Sequence, residues 1–367
     1  MKLTKLLITG GHPTPALAVI DELRATHPEV YVVMVGRQHA NSRETNNTYE
    51  FDEAQLRGVE FIPVDFGRGL SSLLKVPAEI LESKKLLARA CPDAVLSFGG
   101  YIAFPVACAA RWLGIPVFTH EQTAVTGRAN ELIQLFATKV FLSFVPPAHM
   151  RLGSKYIWTG NPIRTLIAQF DVKIEPSLKV KKPLLLISGG NLGSHSLNTH
   201  IFSIVSKLVD FCTVVHQTGN VDEYGDEKAA RDILHSLPVE NRSRYIPVPH
   251  LPTSDWAYVL QTADVVVTRS GANTFFELVA TQKPCVLVPL PWSVRDEQKE
   301  HAVRIASVGA GEIFDQTSDS LILLELIKKV FENPSNYAKK YHTLLPLYVP
   351  DAARKIIAEI INTQAKA

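Results

Sequence analysis

Three glycine-rich turns follow apolar runs in this chain, and they are the first candidates for chemistry. They are Thr9-Gly10-Gly11-His12, Ser-Gly-Gly-Asn-Leu-Gly-Ser at 188–194, and Arg-Ser-Gly-Ala-Asn-Thr at 269–274. Glycines between a strand and a helix let backbone N–H groups approach a phosphate, and the helix N-terminus favours negative charge. Each turn is a candidate anion site, with a tight turn that binds nothing as the alternative. The 188–194 segment lacks both the nucleoside-triphosphatase lysine and the dinucleotide pattern, so ATP hydrolysis and NAD are disfavoured.

Three polar side chains near these turns could act as a base or bind a sugar. His12 can act as a base near neutral pH, although a packed or solvated histidine is the commoner situation. Glu277 can accept hydrogen bonds from two ribose hydroxyls, and a carboxylate that caps the first helical turn is the alternative. Gln298 either bonds a sugar hydroxyl or begins a solvated helix.

Other kinds of chemistry find no support in the sequence. The four cysteines are far apart and no second histidine stands at metal-ligand spacing from His120, so we expect no disulfide framework, metal or other cofactor. The chain has no G-x-S-x-G nucleophile turn. Its net charge of +2 gives no electrostatic reason to expect a nucleic-acid partner.

The elements that must position these residues follow from the hydrophobic pattern. Short, fully apolar runs alternate with helical periods, which is typical of parallel sheets covered on both faces. Thr14-Pro15 predicts the N-cap and first residue of the first helix. The pattern restarts after the turn at 160–162. Over 367 residues it predicts an α/β protein with two Rossmann-like, doubly wound domains facing across a cleft, the default ligand site.

The predicted domains are an N-terminal one at 1–163, joined by the C-terminal helix at 351–367, and a C-terminal one at 164–350. No apolar run is long enough to span a membrane, the N-terminus is no signal peptide, and the thiols indicate a reducing cytosol. Residues 68–76 form either an ordinary helix or a face that dips into anionic lipid. That candidate membrane face consists of Arg68, Leu70, Leu73, Leu74 and Lys75.

Taken in order, these segments resemble the bacterial glycosyltransferases that add N-acetylglucosamine to lipid I in peptidoglycan synthesis. The first half contributes Thr9 to His12, Pro15-Ala16-Leu17-Ala18, Phe98-Gly99-Gly100-Tyr101, His120-Glu121-Gln122, Gly127, Asn130 and Gly160-Asn161-Pro162-Ile163-Arg164. The second half contributes Gly189-Gly190, Arg269-Ser270-Gly271-Ala272, Glu277, and Asp296 with Gln298. The chain departs from the family pattern at Leu7, Ile8, Thr123, Asn191 and Leu192, which replace two glycines, an asparagine, a serine and a glutamine.

The resemblance implies a metal-independent, inverting GT-B enzyme that uses UDP-N-acetylglucosamine and undecaprenyl-linked lipid I to form lipid II, peripherally bound to the cytoplasmic face of the cell membrane. It makes His12 the base that deprotonates the attacking hydroxyl. The expected donor-binding residues are Arg164, Asn191, Ser270, Gly271, Ala272, Asn273, Thr274, Glu277 and Gln298. The expected acceptor and phosphate contacts are Thr9, Gly10, Gly11, Gly99, Gly100, Tyr101, Thr123 and Asn130.

Three other functions fit the same residues. One is a UDP-sugar transferase with another lipid acceptor, such as diacylglycerol. The second is a UDP-N-acetylglucosamine 2-epimerase, which makes the epimer without any acceptor. The third is a non-catalytic protein that binds a UDP-sugar or a lipid. An incubation with UDP-N-acetylglucosamine and a lipid I analogue distinguishes them.

Overall fold

The protein folds into two compact units, each built on a parallel sheet. A computed structural model describes residues 2–39, 47–67, 74–145, 153–168, 177–190, 192–219, 221 and 223–366. The first unit comprises Met1–Thr165 and Val349–Ala367, and the second comprises Leu166–Tyr348. The division therefore falls just after Thr165, and Arg164 belongs to the first unit.

The first unit holds seven parallel strands in the order β3-β2-β1-β4-β5-β6-β7. The strands are β1 (Lys5–Thr9), β2 (Tyr31–Gly36), β3 (Glu60–Pro63), β4 (Ala94–Ser97), β5 (Val117–Glu121), β6 (Lys139–Leu142) and β7 (Tyr156–Trp158). The helices that follow them are α1 (Pro13–Thr26), α2 (Tyr49–Leu56), α3 (Val76–Ala90), α4 (Ala103–Trp112) and α5 (Arg128–Phe136).

Strand β1 shows why an unbroken apolar run forms a central strand here. Leu6 and Ile8 face one cluster of the core, together with residues of α1. Leu7 faces the opposite cluster, together with residues of α4. All three side chains are fully buried. Because successive strand residues point to opposite faces, a strand covered on both faces must be apolar at every position. Leu7 and Ile8, two of the departures from the family pattern, are therefore core residues.

The chain returns to the first unit at its C-terminus. Helix α15 (Ala352–Lys366) packs against α1 through Ile356, Ile357 and Ile360. Its surface is tied down by ion pairs from Lys139 to Glu359 at 2.7 Å and from Arg354 to Glu22 at 2.8 Å. The buried isoleucines supply most of the stabilisation, because partly exposed ion pairs contribute only about 0–1 kcal/mol each.

The second unit holds six parallel strands in the order β10-β9-β8-β11-β12-β13. The strands are β8 (Leu184–Ser188), β9 (Thr213–Gln217), β10 (Tyr245–Val248), β11 (Val265–Thr268), β12 (Cys285–Leu287) and β13 (Gly311–Ile313). Helix α6 (Thr165–Ala168) lies at the division between the units. The other helices are α7 (His195–Val209), α8 (Asp226–Ser236), α9 (Val239–Arg242), α10 (Thr253–Thr262), α11 (Ala272–Thr281), α12 (Glu297–Ser307), α13 (Ser320–Glu332) and α14 (Pro334–Lys340).

The predicted fold class is confirmed, and the differences concern boundaries and edges. Helix α1 begins at Pro13 with His12 in the N-cap position, so the predicted N-cap at Thr14 is wrong. Pro13 itself suits the first helical position because it has no N–H to satisfy. The pattern also missed β3, β7, β10 and β13. All four are edge strands with partly exposed side chains, so they lack the continuous apolar run of a central strand.

Candidate active site

The turn after β1 is held by a buried carboxylate from α2. Glu50 accepts a hydrogen bond from the Gly11 N–H at 3.2 Å and from the Arg37 N–H at 2.7 Å. The Gly10 N–H donates to the Val35 carbonyl at 2.6 Å. Both glycine amides predicted for a phosphate are thus engaged within the protein. The two glycines instead allow the carboxylate to approach, since a Cβ on Gly10 would lie 2.6 Å from a Glu50 oxygen.

The turns after β1 and β4 contact each other through glycine. Gly11 has φ +118, and a Cβ there would lie 2.8 Å from the Gly99 carbonyl oxygen. Only glycine permits this approach together with this backbone conformation. Tyr101, two residues further on, lies with its ring 4.8 Å from the Arg37 guanidinium. The structure therefore brings the predicted residues Gly10, Gly11, Gly99 and Tyr101 together at the carboxyl ends of adjacent strands.

Two residues predicted to contact the acceptor donate hydrogen bonds to the Glu121 carboxylate. Thr123 donates to the Glu121 carboxylate through its hydroxyl at 2.7 Å and its backbone N–H at 3.1 Å. The Asn130 amide donates at 3.0 Å, and so does the Gly127 N–H. A buried carboxylate needs such donors in the absence of water. The structure thus places Thr123 and Asn130 around Glu121, and shows that His120 and Glu121 end β5 rather than follow it.

The hydrogen bonds of His120, which precedes Glu121 in β5, define its tautomer. Its Nε2 is 3.1 Å from the Ser143 hydroxyl oxygen and 3.3 Å from the Gly160 carbonyl. The Ser143 hydroxyl donates to the Asn161 side-chain oxygen at 3.0 Å, so the proton between Ser143 and His120 belongs to Nε2. Nδ1 is then a bare acceptor. Burial, with a contribution from nearby His12, lowers the pKa of His120 to about 4.

Three buried polar atoms at the carboxyl ends of β1 and β5 have no hydrogen-bond partner in the described part of the chain. They are Nδ1 of His120, Oγ1 of Thr9 and Oε1 of Gln122. Thr9 ends β1, and His120 and Gln122 lie at the end of β5, two strands away across β4. Leaving such an atom unsatisfied costs about 1–3 kcal/mol. A polar ligand at this edge of the sheet, such as a sugar, would offset that cost.

His12 is held neutral by its surroundings. It occupies the N-cap position of α1 without making a side-chain capping bond. Burial lowers the pKa of His12 to about 4. The imidazole is therefore unprotonated at pH 7, which is the form that can accept a proton.

Buried Arg269 links the two glycine-containing turns of the second unit. Its guanidinium donates to the Ser194 hydroxyl at 2.6 and 3.1 Å, to Ser196 at 2.6 Å and to the Val288 carbonyl at 2.9 Å. These partners are neutral, and no carboxylate pairs with Arg269 among the residues that the structure describes. Burial lowers its pKa to about 10. Within the described part of the chain, Arg269 is thus a buried cation without a counter-ion, flanked by the N-termini of α7 and α11.

Glu277 lies in the second turn of α11, because that helix begins at Ala272 with Gly271 as its N-cap. It is therefore not the first-turn capping carboxylate that the sequence left open. Its side chain is only 2% exposed, and the Trp256 indole N–H donates to Oε2 at 3.0 Å. Ser270 donates to the Gln298 carbonyl at 2.7 Å, and Asn273 and Thr274 lie in the first turn of the same helix, partly exposed.

The loop after β12 is organised by Gln298. Its side-chain oxygen accepts the Leu290 N–H at 3.1 Å, and its own N–H donates to the Ser293 hydroxyl at 3.3 Å. Gln298 is thus more than a solvated helix start, because it fixes this loop beside the Ser270 turn. Its amide nitrogen is the group left to meet a sugar hydroxyl.

The remaining predicted residues are placed as follows. Arg164 is 6% exposed and belongs to the first unit, with its guanidinium 5.7 Å from the Tyr49 ring. Leu74 is 91% exposed, and Lys75, also exposed, immediately precedes α3. The predictions for Asn191, Arg68, Leu70 and Leu73 lie outside the described residues.

No role was predicted for Glu50, Trp256 or the side chain of Arg269. The position of Arg269 could have indicated its role, because a cation directly between a buried strand and a Ser-Gly helix start favours an anion-binding site. Glu50 and Trp256 carried none, because their partners lie 39 and 21 residues away in the sequence.

Comparison with known proteins places this architecture in a class. Residues 9–142 match the glycosyltransferase family 28 N-terminal domain, and residues 184–356 match the C-terminal domain of that family. Two parallel α/β units in tandem with these matches define a glycosyltransferase of the GT-B fold. The crystal structure of Acinetobacter baumannii MurG has the same fold, with a TM-score of 0.67 and 24% identity over 99% of this chain and 100% of that one.

The curated relatives narrow the class to one family. A UDP-N-acetylglucosamine--N-acetylmuramyl-(pentapeptide) pyrophosphoryl-undecaprenol N-acetylglucosamine transferase of Treponema denticola is 33% identical, covering 83% of this chain and 81% of the relative. The transferase of the same name from Lawsonia intracellularis is 31% identical, with 88% and 85% covered. The chain belongs to this family of N-acetylglucosamine transferases. A UDP-GlcNAc 2-epimerase from Neisseria meningitidis shares the fold at 16% identity, with a TM-score of 0.61 over 98% of this chain and 99% of that one.

Proposed function

We propose that this enzyme transfers N-acetylglucosamine from UDP-N-acetylglucosamine to the muramyl sugar of undecaprenyl-linked lipid I, forming lipid II. The observation that carries the donor assignment is Arg269, a buried cation whose partners among the described residues are all neutral and which lies between the N-termini of α7 and α11. Two helix N-termini and a guanidinium together favour a diphosphate. Glu277 on the same α11 then offers its carboxylate to the ribose hydroxyls.

The acceptor is assigned to the first unit. Oγ1 of Thr9, Nδ1 of His120 and Oε1 of Gln122 are the buried groups that hydroxyl and amide groups of a muramyl sugar would satisfy. Neutral His12 takes the proton from the attacking hydroxyl. The hydroxyl oxygen then bonds to the anomeric carbon of the donor sugar on the face opposite UDP, and the bond from that carbon to the diphosphate oxygen breaks. The result is inversion and a β-linkage.

The leaving diphosphate gains negative charge as this bond breaks. Arg269 and the N–H groups at the starts of α7 and α11 stabilise that charge, and they act in place of a metal ion. Gln298 contacts the transferred sugar through its amide nitrogen. Arg164, buried at the end of the first unit, is a further candidate for the donor phosphates. Full activity in the presence of a chelator would agree with a metal-free site, and loss that added Mg²⁺ restores would contradict it.

Membrane attachment is assigned to the outer faces of α3 and α4 and to the residues just before α3. Leu74, Leu81 and Trp112 are 91%, 52% and 61% exposed, and the Lys84 ammonium lies 4.1 Å from the Trp112 ring. Apolar side chains beside lysines favour an anionic lipid surface. No described helix is long and apolar enough to cross a membrane. All four cysteines are free thiols, which agrees with a location on the cytoplasmic side.

One assay tests the reaction. Purified protein is incubated with UDP-N-acetylglucosamine and a lipid I analogue, and disaccharide and UDP should appear in equal amounts. Transfer to diacylglycerol with none to lipid I would indicate the other lipid acceptor. Formation of the 2-epimer without an acceptor would indicate an epimerase, and UDP binding without turnover would indicate a non-catalytic binder.

A further inference from the structure

We infer that Trp256 is a positioning residue that presents the Glu277 carboxylate to the ribose of the donor. Trp256 lies on α10, Glu277 lies on α11, and the indole N–H meets Oε2 at 3.0 Å. The inference rests on the proposed function, because it assumes that Glu277 binds a ribose. Trp256 is absent from the motifs that suggested the family.

The chemistry of the pair fixes one arrangement. An indole N–H can only donate, and an ionised carboxylate can only accept. Both side chains are buried, at 6% and 2% exposure. A buried indole N–H usually finds a partner, and a buried carboxylate needs donors to remain ionised. The bond therefore restrains rotation of the carboxylate about its last torsion. A carboxylate held in one orientation can accept hydrogen bonds from two neighbouring hydroxyls.

The helix that carries Trp256 is itself anchored at both ends. At its N-terminal end, Asp255 accepts the Ser177 N–H at 2.7 Å. At its C-terminal end, the Lys283 ammonium donates to the carbonyls of Gln261 at 2.6 Å and Ala263 at 2.9 Å. A side chain on a helix tied down in this way is a rigid support. This is the requirement for a group that must hold another in a productive geometry.

The test uses a ligand pair that differs only at the ribose hydroxyls. Wild-type protein and the Trp256→Phe variant are titrated by calorimetry with UDP and with 2′,3′-dideoxy-UDP. Phenylalanine keeps an aromatic ring and removes the N–H. We expect about tenfold weaker binding of UDP, as for loss of a hydrogen bond to a charged group, and less than a twofold change for the dideoxy ligand.

Trp158→Phe is the matched control. The Trp158 indole N–H also makes a partly buried hydrogen bond, to the Ser143 carbonyl at 3.1 Å. Trp158, however, lies in the first unit. Its affinity for UDP should equal that of the wild type. Equal weakening of both ligands by Trp256→Phe would reduce Trp256 to a packing residue and overturn the inference. Unchanged UDP binding would overturn it as well.

A second measurement avoids mutating Trp256. The chain has four tryptophans, so its ¹H–¹⁵N spectrum has four indole signals, and variants of Trp112, Trp158 and Trp292 assign the fourth by elimination. UDP should shift the Trp256 signal and dideoxy-UDP should shift it far less. Equal shifts would contradict the inference.

If wild-type protein binds both ligands equally, the ribose role of Glu277 fails. If the wild-type protein binds UDP more tightly than dideoxy-UDP, and Trp256→Phe shows the same preference, only the role of Trp256 fails.

Discussion

Replacing Arg269 by methionine tests the electrostatic reasoning behind the donor site. The guanidinium is 4% exposed, and its partners are two serine hydroxyls and a carbonyl. Burial lowers its pKa to about 10, so the charged form is disfavoured in the folded state. A tenfold change in an acid constant is worth about 1.4 kcal/mol, and the drop from the ordinary value corresponds to about 3 kcal/mol. A bound diphosphate would offset this cost.

The sign of the effect follows from that pKa. Because the folded pKa lies below the unfolded one, the charge destabilises the unliganded protein at neutral pH, and this cost begins to fall only above about pH 10. Arg269→Met therefore loses hydrogen bonds but also loses the buried charge, and the free energy of unfolding without ligand should change little. Affinity for UDP should fall about 100-fold, because charged hydrogen bonds to the diphosphate worth about 3 kcal/mol are lost.

Calorimetry with UDP measures the affinity, and thermal unfolding with and without UDP measures the stability. Arg231→Met is the matched control, because Arg231 lies on the surface of the same unit and pairs with Glu227 at 2.7 Å. A folded Arg269→Met protein that binds UDP within threefold of the wild type would refute the reasoning. So would a loss of affinity shared by the control.

Three further predictions concern single residues. Glu277→Ala should weaken UDP binding by about 1–3 kcal/mol, because charged hydrogen bonds are lost, and calorimetry would show unchanged affinity if the assignment is wrong. His12→Ala should lower turnover by about 10²–10⁴ with donor affinity kept. Because the pKa of His12 is about 4, kcat/KM of the wild type should stay level from pH 8 to pH 6, and an acid limb near pH 6.5 would contradict this. Gly160→Ala should destabilise the first unit by more than about 2 kcal/mol in thermal unfolding. The reason is that Gly160 has φ +78 and the new Cβ would lie 2.5 Å from Val349 Cβ. An unchanged Tm would show that Val349 moves aside.

The central strands, the tandem units and the family were predictable from the sequence. A strand covered on both faces must be apolar throughout, and the run at 6–8 or 184–187 carries that requirement in its residue types. The turns after such strands are short, so the ends of the strands locate Thr9 and Ser270 without a structure. Edge strands were missed because their exposed faces impose no such pattern.

The partners of the polar side chains were decided only by the tertiary structure. Sequence spacing marked Gly11 as a phosphate amide, but Glu50, 39 residues away, accepts its N–H. The family resemblance implied that Thr123 contacts the acceptor, and the structure adds that its hydroxyl donates to Glu121. A residue type states which bonds a side chain is able to make. The packing of distant elements selects which of these bonds forms, because buried polar groups pair with whatever donor or acceptor the fold brings within reach.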